Sequence, residues 1–320
     1  MKSSKREESL RREAMKLRHQ FAQGGRGAFS KVLPTANVAT VIEEECGAYR
    51  ERLFPPLVTL RLFIGQALSE DHACQDVVCQ YLAERTAGKA TANGLNTGAY
   101  CQARKRLPLK VPERLGQDVG TSLEAIMPKA WCWRGRRLKL FDGTTVSMPD
   151  TAENQADFPQ SSEQKPGLGF PLARLGGLIG LASGAVLGYA VGACKGKGSG
   201  EQTLLRRVLP LLEPGDILLA DALLANGWTI ADTLGRGADV LMMQHGSRLT
   251  DFSQGQRLAH KDHGVDWPRP PRPRWMSAEA DQRYPLTLPI RECELAGRVL
   301  ITTLLDLRMA SARELNALPD

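Results

Sequence analysis

The most constraining feature of the sequence is an uncharged segment of 19 residues, 175–193, which reads LGGLIGLASGAVLGYAVGA. As a helix it is just long enough to span a bilayer, and glycines at every fourth position are typical of close helix contacts in membranes. These glycines are Gly176, Gly180, Gly184, Gly188 and Gly192. Glycine is costly in a helix in water, however, and Ser183-Gly184 favours a turn. We therefore interpret the segment as a buried β-hairpin of residues 173–181 and 185–193, with a membrane helix as the alternative.

Composition and cysteine usage favour a soluble intracellular protein. The chain of 320 residues suggests about two domains, and 42% hydrophobic with 24% charged residues is ordinary for a globular protein. The seven cysteines are odd in number and form no C-x-x-C pair, which argues against a disulfide framework and a zinc knuckle. A reducing cytosol fits this pattern. The first 20 residues are charged and lack the apolar core of a signal peptide, so we expect a cytoplasmic protein with no membrane partner.

Positive charge is concentrated near the start of the chain. Residues 1–29 hold eight Lys or Arg residues against three Glu, and so contribute five of the seven net positive charges. Such a basic arm is typical of proteins that bind a polyanion. A solvated helix end that only improves solubility is the alternative, and the sequence leaves both open.

Helical patterns dominate the first part of the chain. We predict helices over residues 5–22, 38–52, 56–70, 72–86 and 110–127. A loop, TAGKATANGLNTGAY, precedes CQARKRLP, which carries Arg104, Lys105 and Arg106 in a row. Residues 1–130 are therefore expected to form an all-helical DNA-binding region with two basic patches, although no clean helix-turn-helix pattern is present.

The pattern changes after WCWRGRR. We predict strands at 138–142, 173–181 and 185–193, a helix opened by a capping box of Ser199 and Gln202, a strand at 216–222, a helix over NGWTIADTLGRG and a strand at 239–246. The hairpin would join the first strand in a three-stranded meander, and helices would lead to the fourth and fifth strands. The ribonuclease H-like fold is one of the few that resemble this order. It carries one carboxylate on the first strand and another at the end of the fourth, the places of Asp142 and Asp221.

Asp142 lies in the stretch LKLFDGTTVSMPDT. Most Asp-Gly pairs are turns, so this stretch alone favours a turn. The predicted strand order and the basic arm favour a metal ligand instead. Two Asp side chains from separate strands suit Mg²⁺ or Mn²⁺, which bind hard oxygen ligands. A pair of such ions can activate an attacking oxygen and stabilise the leaving oxygen of a phosphodiester, for which a third acidic residue is needed.

Several stretches resemble bacterial insertion-sequence transposases of the DDE class, which carry a long β-rich insertion in a ribonuclease H-like core. These stretches are TGAYCQARKRLP, FDGTTVSMPDT, GDILLADALLANGWTIADTLGRGADVLMMQH and LITTLLD, in order from about residue 30 onward. The resemblance implies that Asp142 and Asp221 are the first two metal ligands. It also implies that residues 131–246 form the first part of a catalytic core. A β-rich insertion would follow at 247–295, and the chain would return to the core at 296–320. DNA at transposon ends and at the target, and a homo-oligomer in a synaptic complex, would be the partners.

The expected insertion contains the run DWPRPPRPRW, in which Trp267 and Trp275 flank Arg269, Arg272 and Arg274. These arginines would contact the DNA backbone, or the run would be a rigid proline-rich surface loop. Nearby, His260 and His263 form an isolated H-x-x-H pair. Such a pair is weak support for a metal site, and we interpret it as part of a surface loop.

Two departures from the family pattern bear on activity. The basic residue that usually follows the second Asp is missing, because the chain reads DALLANGW there. The family's third acidic residue, a Glu in a Y-x-x-R-W-x-x-E-like block, is also missing, and Glu314 precedes the place of that block. We therefore expect a truncated copy with little or no catalytic activity. The alternative is a non-catalytic DNA-binding remnant that occupies element ends or inhibits an intact transposase.

Overall fold

The computed structural model of the chain describes residues 34–87, 96–165, 167–196, 198–274 and 276–318. The chain divides into two compact units, Met1–Ser122 and Leu123–Asp320. The predicted helix at 5–22 and the basic arm lie outside the described residues. The unit boundary falls close to residue 130, where the sequence predicts the end of the helical region.

Helices make up the described part of the first unit. They are α1 (Thr35–Cys46), α2 (Pro56–Leu68), α3 (Cys74–Ala87), α4 (Gly98–Arg106) and α5 (Lys110–Ile126), and α5 continues past the unit boundary. Four of them confirm predicted helices, with ends shifted by a few residues. Pro56 occupies the first turn of α2. Backbone N–H groups in a first turn have no partner within the helix, so the N–H that proline lacks costs no helical hydrogen bond.

Helix α4 begins inside the predicted loop and is held by tertiary contacts. Tyr100 is completely buried, and its ring centroid lies 5.8 Å from that of Phe54. The Tyr100 hydroxyl donates a hydrogen bond of 3.0 Å to Gln66 on α2. The polar sequence of α4 gives no strong helical pattern, so these long-range contacts are what sequence reasoning missed.

The second unit is built on one sheet of nine strands in the order β3-β2-β1-β4-β5-β9-β8-β7-β6. The β1/β4 and β4/β5 pairs are parallel and the other pairs are antiparallel. The strands are β1 (Leu138–Ser147), β2 (Leu172–Gly180), β3 (Ala185–Ala193), β4 (Ile217–Ala220), β5 (Asp239–Met243), β6 (Gln256–Ala259), β7 (Asp262–Pro268), β8 (Thr287–Leu295) and β9 (Arg298–Thr302). The chain therefore has a mixed α/β fold. The predicted meander, followed by a fourth and a fifth strand reached through helices, is confirmed, and the structure shows that these two strands are parallel to β1.

Five helices accompany the sheet in the described residues: α6 (Ala152–Asp157), α7 (Glu201–Val208), α8 (Gly227–Leu234), α9 (Ala278–Gln282) and α10 (Ala312–Asn316). The two faces of the sheet have separate cores. Phe141 and Leu218 share one core with Leu204 of α7. Ile217 and Leu219 share the other with Leu315 of α10. Alternation along each strand thus decides which side chains face α7 and which face α10.

The uncharged glycine-rich segment is the β2/β3 hairpin, as predicted. Its turn contains Gly184, whose φ of 65° is a left-handed conformation that glycine adopts without strain. Gly176 is needed for packing, because a Cβ there would lie 2.7 Å from the Phe141 ring and 3.1 Å from Leu204 Cβ. Among the described residues, every helix is too short or too polar to cross a membrane.

The start of α7 differs from the predicted capping box. The N-cap residue is Gly200, and its position has no side-chain cap hydrogen bond. Ser199 instead donates through its hydroxyl to the carbonyl of Gly196 at 2.7 Å. The hydroxyl therefore closes the preceding turn rather than the helix.

Residues 256–302 extend the same sheet through β6 to β9. The surface-loop interpretation of the H-x-x-H pair is wrong for its second half, because Asp262 and His263 are 2% exposed on β7. Asp262 accepts two hydrogen bonds from the fully buried Arg291, at 2.8 and 2.6 Å. Arg291 also donates to the carbonyls of Leu304 and Ala310, which fixes the segment after β9.

Removal of the Asp262 charge should destabilise the second unit strongly. Asp262→Asn leaves the Arg291 guanidinium buried without a counterion, so we expect the free energy of unfolding to fall by about 3–5 kcal/mol. Urea denaturation followed by circular dichroism measures this. The matched control is Asp306→Asn, whose carboxylate pairs with the exposed Arg308 and should change stability little. Equal stabilities of the two variants would contradict the structural role of Asp262.

A second buried pair should make stability depend on pH. Burial raises the pKa of Glu124, but hydrogen bonds from Lys139 and Ser183 outweigh this and hold the pKa below its ordinary value of 4.5. The stability that this carboxylate contributes is complete above pH 4.5 and is lost as pH falls through the lower folded pKa.

Glu124→Gln should therefore be less stable than wild type at neutral pH, and the two stability curves should converge as pH falls through the folded pKa of Glu124, which lies below 4.5. Urea denaturation at a series of pH values tests this. Glu163→Gln, at an exposed position, should give a curve parallel to that of wild type. A constant gap between Glu124→Gln and wild type across the acid range would refute the expectation.

Candidate metal centre at the carboxyl end of the parallel strands

Asp142 lies within β1, not in a turn. Asp142 pairs with Gly177 and Gly143 with Gly176 on the antiparallel neighbour β2. The Asp142 side chain is exposed, and its Oδ1 accepts a hydrogen bond of 2.7 Å from the Gly143 N–H. The turn interpretation of this Asp-Gly pair is therefore wrong, because the pair continues a strand that runs to Ser147.

Asp221 follows the last residue of β4. Its backbone is extended, with φ −61° and ψ 155°, and it caps the short 3-10 helix Ala222–Leu224. The Leu223 N–H donates to Asp221 Oδ1 at 2.8 Å. The strand end thus presents an exposed carboxylate whose orientation is fixed by the following turn.

The strand register brings the two aspartates together. Phe141 on β1 pairs with Ala220 on β4 in the parallel ladder. The next residue is Asp142 on the first segment and Asp221 on the second. Neighbouring strands lie about 4.8 Å apart, and alternation places both side chains on the face that carries Leu140 and Leu219. Two carboxylates therefore lie side by side at the carboxyl end of the central strands.

The donor chemistry of this pair fits Mg²⁺ or Mn²⁺. Carboxylate oxygens are the ligands that these ions bind through one or two protein side chains. Each aspartate uses Oδ1 for a backbone N–H, so Oδ2 of each would be the oxygen to bind an ion. Three His, Cys, Asp or Glu side chains do not converge on one point anywhere in the part of the chain that the structure describes. The two aspartates are therefore a partial ligand set.

Glu201 is a further carboxylate near this end of β1 that sequence reasoning missed, but it lies on the α7 face of the sheet, opposite the face of Asp142 and Asp221. It is the first residue of α7, and a Cβ placed on Gly143 would lie 3.3 Å from its Cδ and Oε1 atoms. The next residue, Gln202, donates to the carbonyl of Leu223 at 3.4 Å. The first turn of α7 therefore contacts the residue after Asp142 and the turn after Asp221. An acidic residue opening the helix before β4 is the signal that could have indicated it.

Glu314 lies at the opposite end of the strands. Its carboxylate accepts hydrogen bonds from the Ser311 backbone and hydroxyl, in a capping box of α10, and from Arg134 at 2.5 Å. The hydrogen bonds from Ser311 and Arg134 lower the pKa of Glu314 to about 2. Arg134 precedes the first residue of β1, whereas Asp142 lies in its second half. Glu314 is therefore a helix cap and does not join the aspartates.

The three basic residues at the end of α4 differ in their surroundings. Arg104 donates to Gln66 Oε1 at 3.0 Å and stacks over the Phe63 ring, 5.0 Å from its centroid. Lys105 and Arg106 are exposed. Contact of Lys105 and Arg106 with DNA stays a prediction, while the Arg104 guanidinium packs within the first unit.

The arginines of the proline-rich run are also unequal. Arg269 donates to the carbonyl of Asp281 at 2.7 Å and lies 3.7 Å from its carboxylate. Arg272 donates to the carbonyl of Met276 at 2.6 Å, and Arg274 is exposed. Arg269 and Arg272 thus hold the local chain, and DNA contact by this run stays a prediction that Arg274 fits best.

Trp267 packs in the hydrophobic core of the second unit. It is 4% exposed, its Nε1 donates to Glu292 Oε1 at 2.7 Å, and the Arg248 guanidinium stacks on its ring at 3.5 Å from the centroid. Trp275 lies outside the described residues. Trp267, which suggested a nucleic-acid contact in the sequence, is therefore a core residue.

The sequence matches no protein-family model, and comparison with curated proteins gives no match.

Replacement of Arg104 should affect stability more than replacement of its neighbours. Arg104→Ala removes a charged hydrogen bond to Gln66 and a cation–π contact with Phe63, so we expect the free energy of unfolding to fall by about 1–3 kcal/mol. Lys105→Ala, the adjacent and exposed control, should leave stability nearly unchanged. Thermal and urea unfolding measure both. Equal losses in the two variants would show that Arg104 does not hold α4 in place.

Proposed function

We propose that the chain is a DDE-type transposase with a ribonuclease H-like core. Proteins of this class cleave DNA phosphodiesters and join strands with Mg²⁺ or Mn²⁺, and the missing third acidic residue leaves this copy with little or no catalytic activity. The observation that carries this proposal is the β1/β4 register, which sets Asp142 beside Asp221 at the carboxyl end of two parallel strands. Carboxylates from separate strands at such an edge are suited to a shared divalent cation. DNA at transposon ends and target sites is the proposed substrate, handled by a homo-oligomer.

The strand order supports the fold part of the proposal. A three-stranded antiparallel meander, followed by two parallel strands reached through α7 and α8, is the arrangement β3-β2-β1-β4-β5. The ribonuclease H-like fold resembles this order. In this proposal β6, β7 and β8 would form the β-rich insertion that the transposase resemblance implies, and β9 would belong to the return to the core.

The side chains have distinct roles in this proposal. Asp142 and Asp221 would hold the metal through Oδ2, since the N–H groups of Gly143 and Leu223 orient the carboxylates through Oδ1. A bound divalent ion would stabilise the negative charge that develops on the phosphodiester oxygens. The exposed Lys105, Arg106 and Arg274 would contact DNA phosphates.

A non-catalytic DNA-binding protein is the second candidate function. The exposed basic side chains at the end of α4 favour it, because phosphate contacts need no metal. Binding to DNA would then weaken steeply as salt rises, and Lys105→Ala would reduce the salt slope, while Asp142→Ala would not alter affinity. Affinity that does not change between low and physiological salt would argue against both candidate functions.

Nicking of supercoiled plasmid DNA distinguishes the candidates. Because the third acidic residue of the family is missing, we expect the purified chain to convert little or none of the plasmid to the open-circular form with Mg²⁺ or Mn²⁺. Any slow nicking that remains should fall by about 100-fold or more in Asp142→Asn and in Asp221→Asn, since electrostatic stabilisation of this kind contributes about 2.7–4 kcal/mol.

The matched control is Asp266→Asn, an exposed aspartate on β7, five strands from β1 in the sheet. It should retain the wild-type rate. Salt-sensitive DNA binding without any nicking would favour the non-catalytic function. Nicking that survives Asp142→Asn would show that the aspartate pair is not the site of cleavage.

A further inference from the structure

The Gln66 side chain connects three helices of the first unit through both ends of its amide. Its Oε1 accepts hydrogen bonds from the Tyr100 hydroxyl and from Arg104 Nη1, each at 3.0 Å. Because a guanidinium can only donate, the contact with Arg104 identifies the oxygen of the amide. The amide Nε2 donates to the carbonyl of His72 at 2.7 Å and to the Cys74 sulfur at 3.2 Å. Gln66 therefore fixes the position of the Cys74 sulfur relative to α4.

Cys74 is the first residue of α3, and its sulfur lies beside a cation. Arg104 Nη1 donates to this sulfur at 3.6 Å, so the sulfur accepts hydrogen bonds from two side chains. A helix N-terminus and a neighbouring arginine are surroundings in which cysteines react as thiolates. The residue is half-buried, which leaves it accessible to small reagents.

A second thiol lies against the first. Cys101, on α4 between Tyr100 and Arg104, forms a hydrogen bond with Cys74 and is also half-buried. Burial raises the pKa of the Cys101 thiol, and the charge of Cys74 and this hydrogen bond raise it further, while the positive charge of Arg104 acts in the other direction. The pair thus combines a sulfur held by two donors with a neighbouring thiol that keeps its proton.

We propose that Cys74 and Cys101 are a redox pair, which hydrogen peroxide oxidises to a disulfide and which thiol reductants restore. The Cys74 thiolate would attack the peroxide, so that an S–O bond forms, the O–O bond breaks and the leaving hydroxide becomes water. The Cys101 sulfur would then attack the sulfenic acid on Cys74, so that the S–S bond forms, the S–O bond breaks and the oxygen leaves as water with the proton of Cys101. In total, two thiols are oxidised by two electrons and one peroxide is reduced to two molecules of water.

The disulfide would tie the beginning of α3 to α4, the helix that ends in the exposed Lys105 and Arg106. Disulfides in a reducing compartment are usually transient and often redox-sensing. The alternative role is structural, because a half-buried cysteine also packs as a small apolar side chain, and Cys74 packs against the core that contains Tyr100. The two interpretations differ in whether the thiols react with each other.

Peptide mapping of the full chain after oxidation tests the proposal without DNA or metal. The reduced protein, with its seven free thiols, is treated with a small excess of hydrogen peroxide at neutral pH. Free thiols are then blocked with N-ethylmaleimide, and a digest is analysed by mass spectrometry. We expect five thiols per chain to remain and a linked Cys74–Cys101 peptide, cleaved by dithiothreitol, to be the main product. Seven unreacted thiols, or disulfides spread equally over the other cysteines, would overturn the proposal.

Two variants assign the order of the two sulfurs. In Cys101→Ser the sulfenic acid has no thiol to condense with, so we expect adducts of dimedone, which labels sulfenic acids, to accumulate on Cys74. In Cys74→Ser, the remaining thiol of Cys101 should stay unlabelled, because it keeps its proton. The control on the same helix is Cys79→Ser, whose sulfur accepts from the Gln75 amide at 3.8 Å, and it should form the same disulfide as wild type.

Labelling of Cys79 as strong as that of Cys74 in the Cys101→Ser variant would show that exposure alone decides reactivity, and would overturn the assigned roles. The map of the wild-type chain needs no variant, so it stays decisive if one of the variants does not fold.

Discussion

The parallel ladder between β1 and β4 is the interaction on which the rest of the second unit depends. Its four pairs run from Leu138 opposite Ile217 to Phe141 opposite Ala220. Parallel strands need cover on both faces, and here the cores under α7 and α10 provide it. Once the ladder has this register, Asp142 and Asp221 must lie side by side at the carboxyl end of β1 and β4. The candidate site is therefore a direct consequence of how the core packs.

The unequal lengths of β1 and β4 shape the surroundings of that edge. Beyond Phe141, β1 is paired only with β2, and the first turn of α7 lies close to it. Glycine within a strand is normally destabilising. At Gly176 the close approach of the Phe141 ring and Leu204 offsets this cost through packing that any Cβ would prevent. Gly176 and Gly192 of the series that imitates a membrane helix thus reflect the contact of β2 and β3 with Leu204 of α7, whereas Gly184 forms the hairpin turn.

Local pattern was sufficient to predict the meander, the two strands that follow it and the positions of both aspartates. Strand length, the Ser183-Gly184 turn and alternating apolar residues carry that information. Features set by distant contacts were not predictable. Helix α4 depends on burial of Tyr100, and Asp262 is buried because Arg291, on another strand, neutralises it. Glu201 escaped notice for the same reason, since its proximity to Gly143 exists only after α7 packs on the sheet.

Buried charge also explains how β7 and β8 select their register. Asp262 and Arg291 lie on the same face of the sheet, where Asp262 is opposite Cys293 and Arg291 is opposite Gly264. A slip of one residue would place them on opposite faces and leave two buried charges unpaired, which costs more than the pair contributes to stability. Since Arg291 also holds the carbonyls of Leu304 and Ala310, a correct register is required before the segment leading to α10 can pack. The pairing of β7 with β8 therefore affects the core that covers one face of β1 and β4. Leu304 and Leu315 belong to that core together with Ile217 and Leu219.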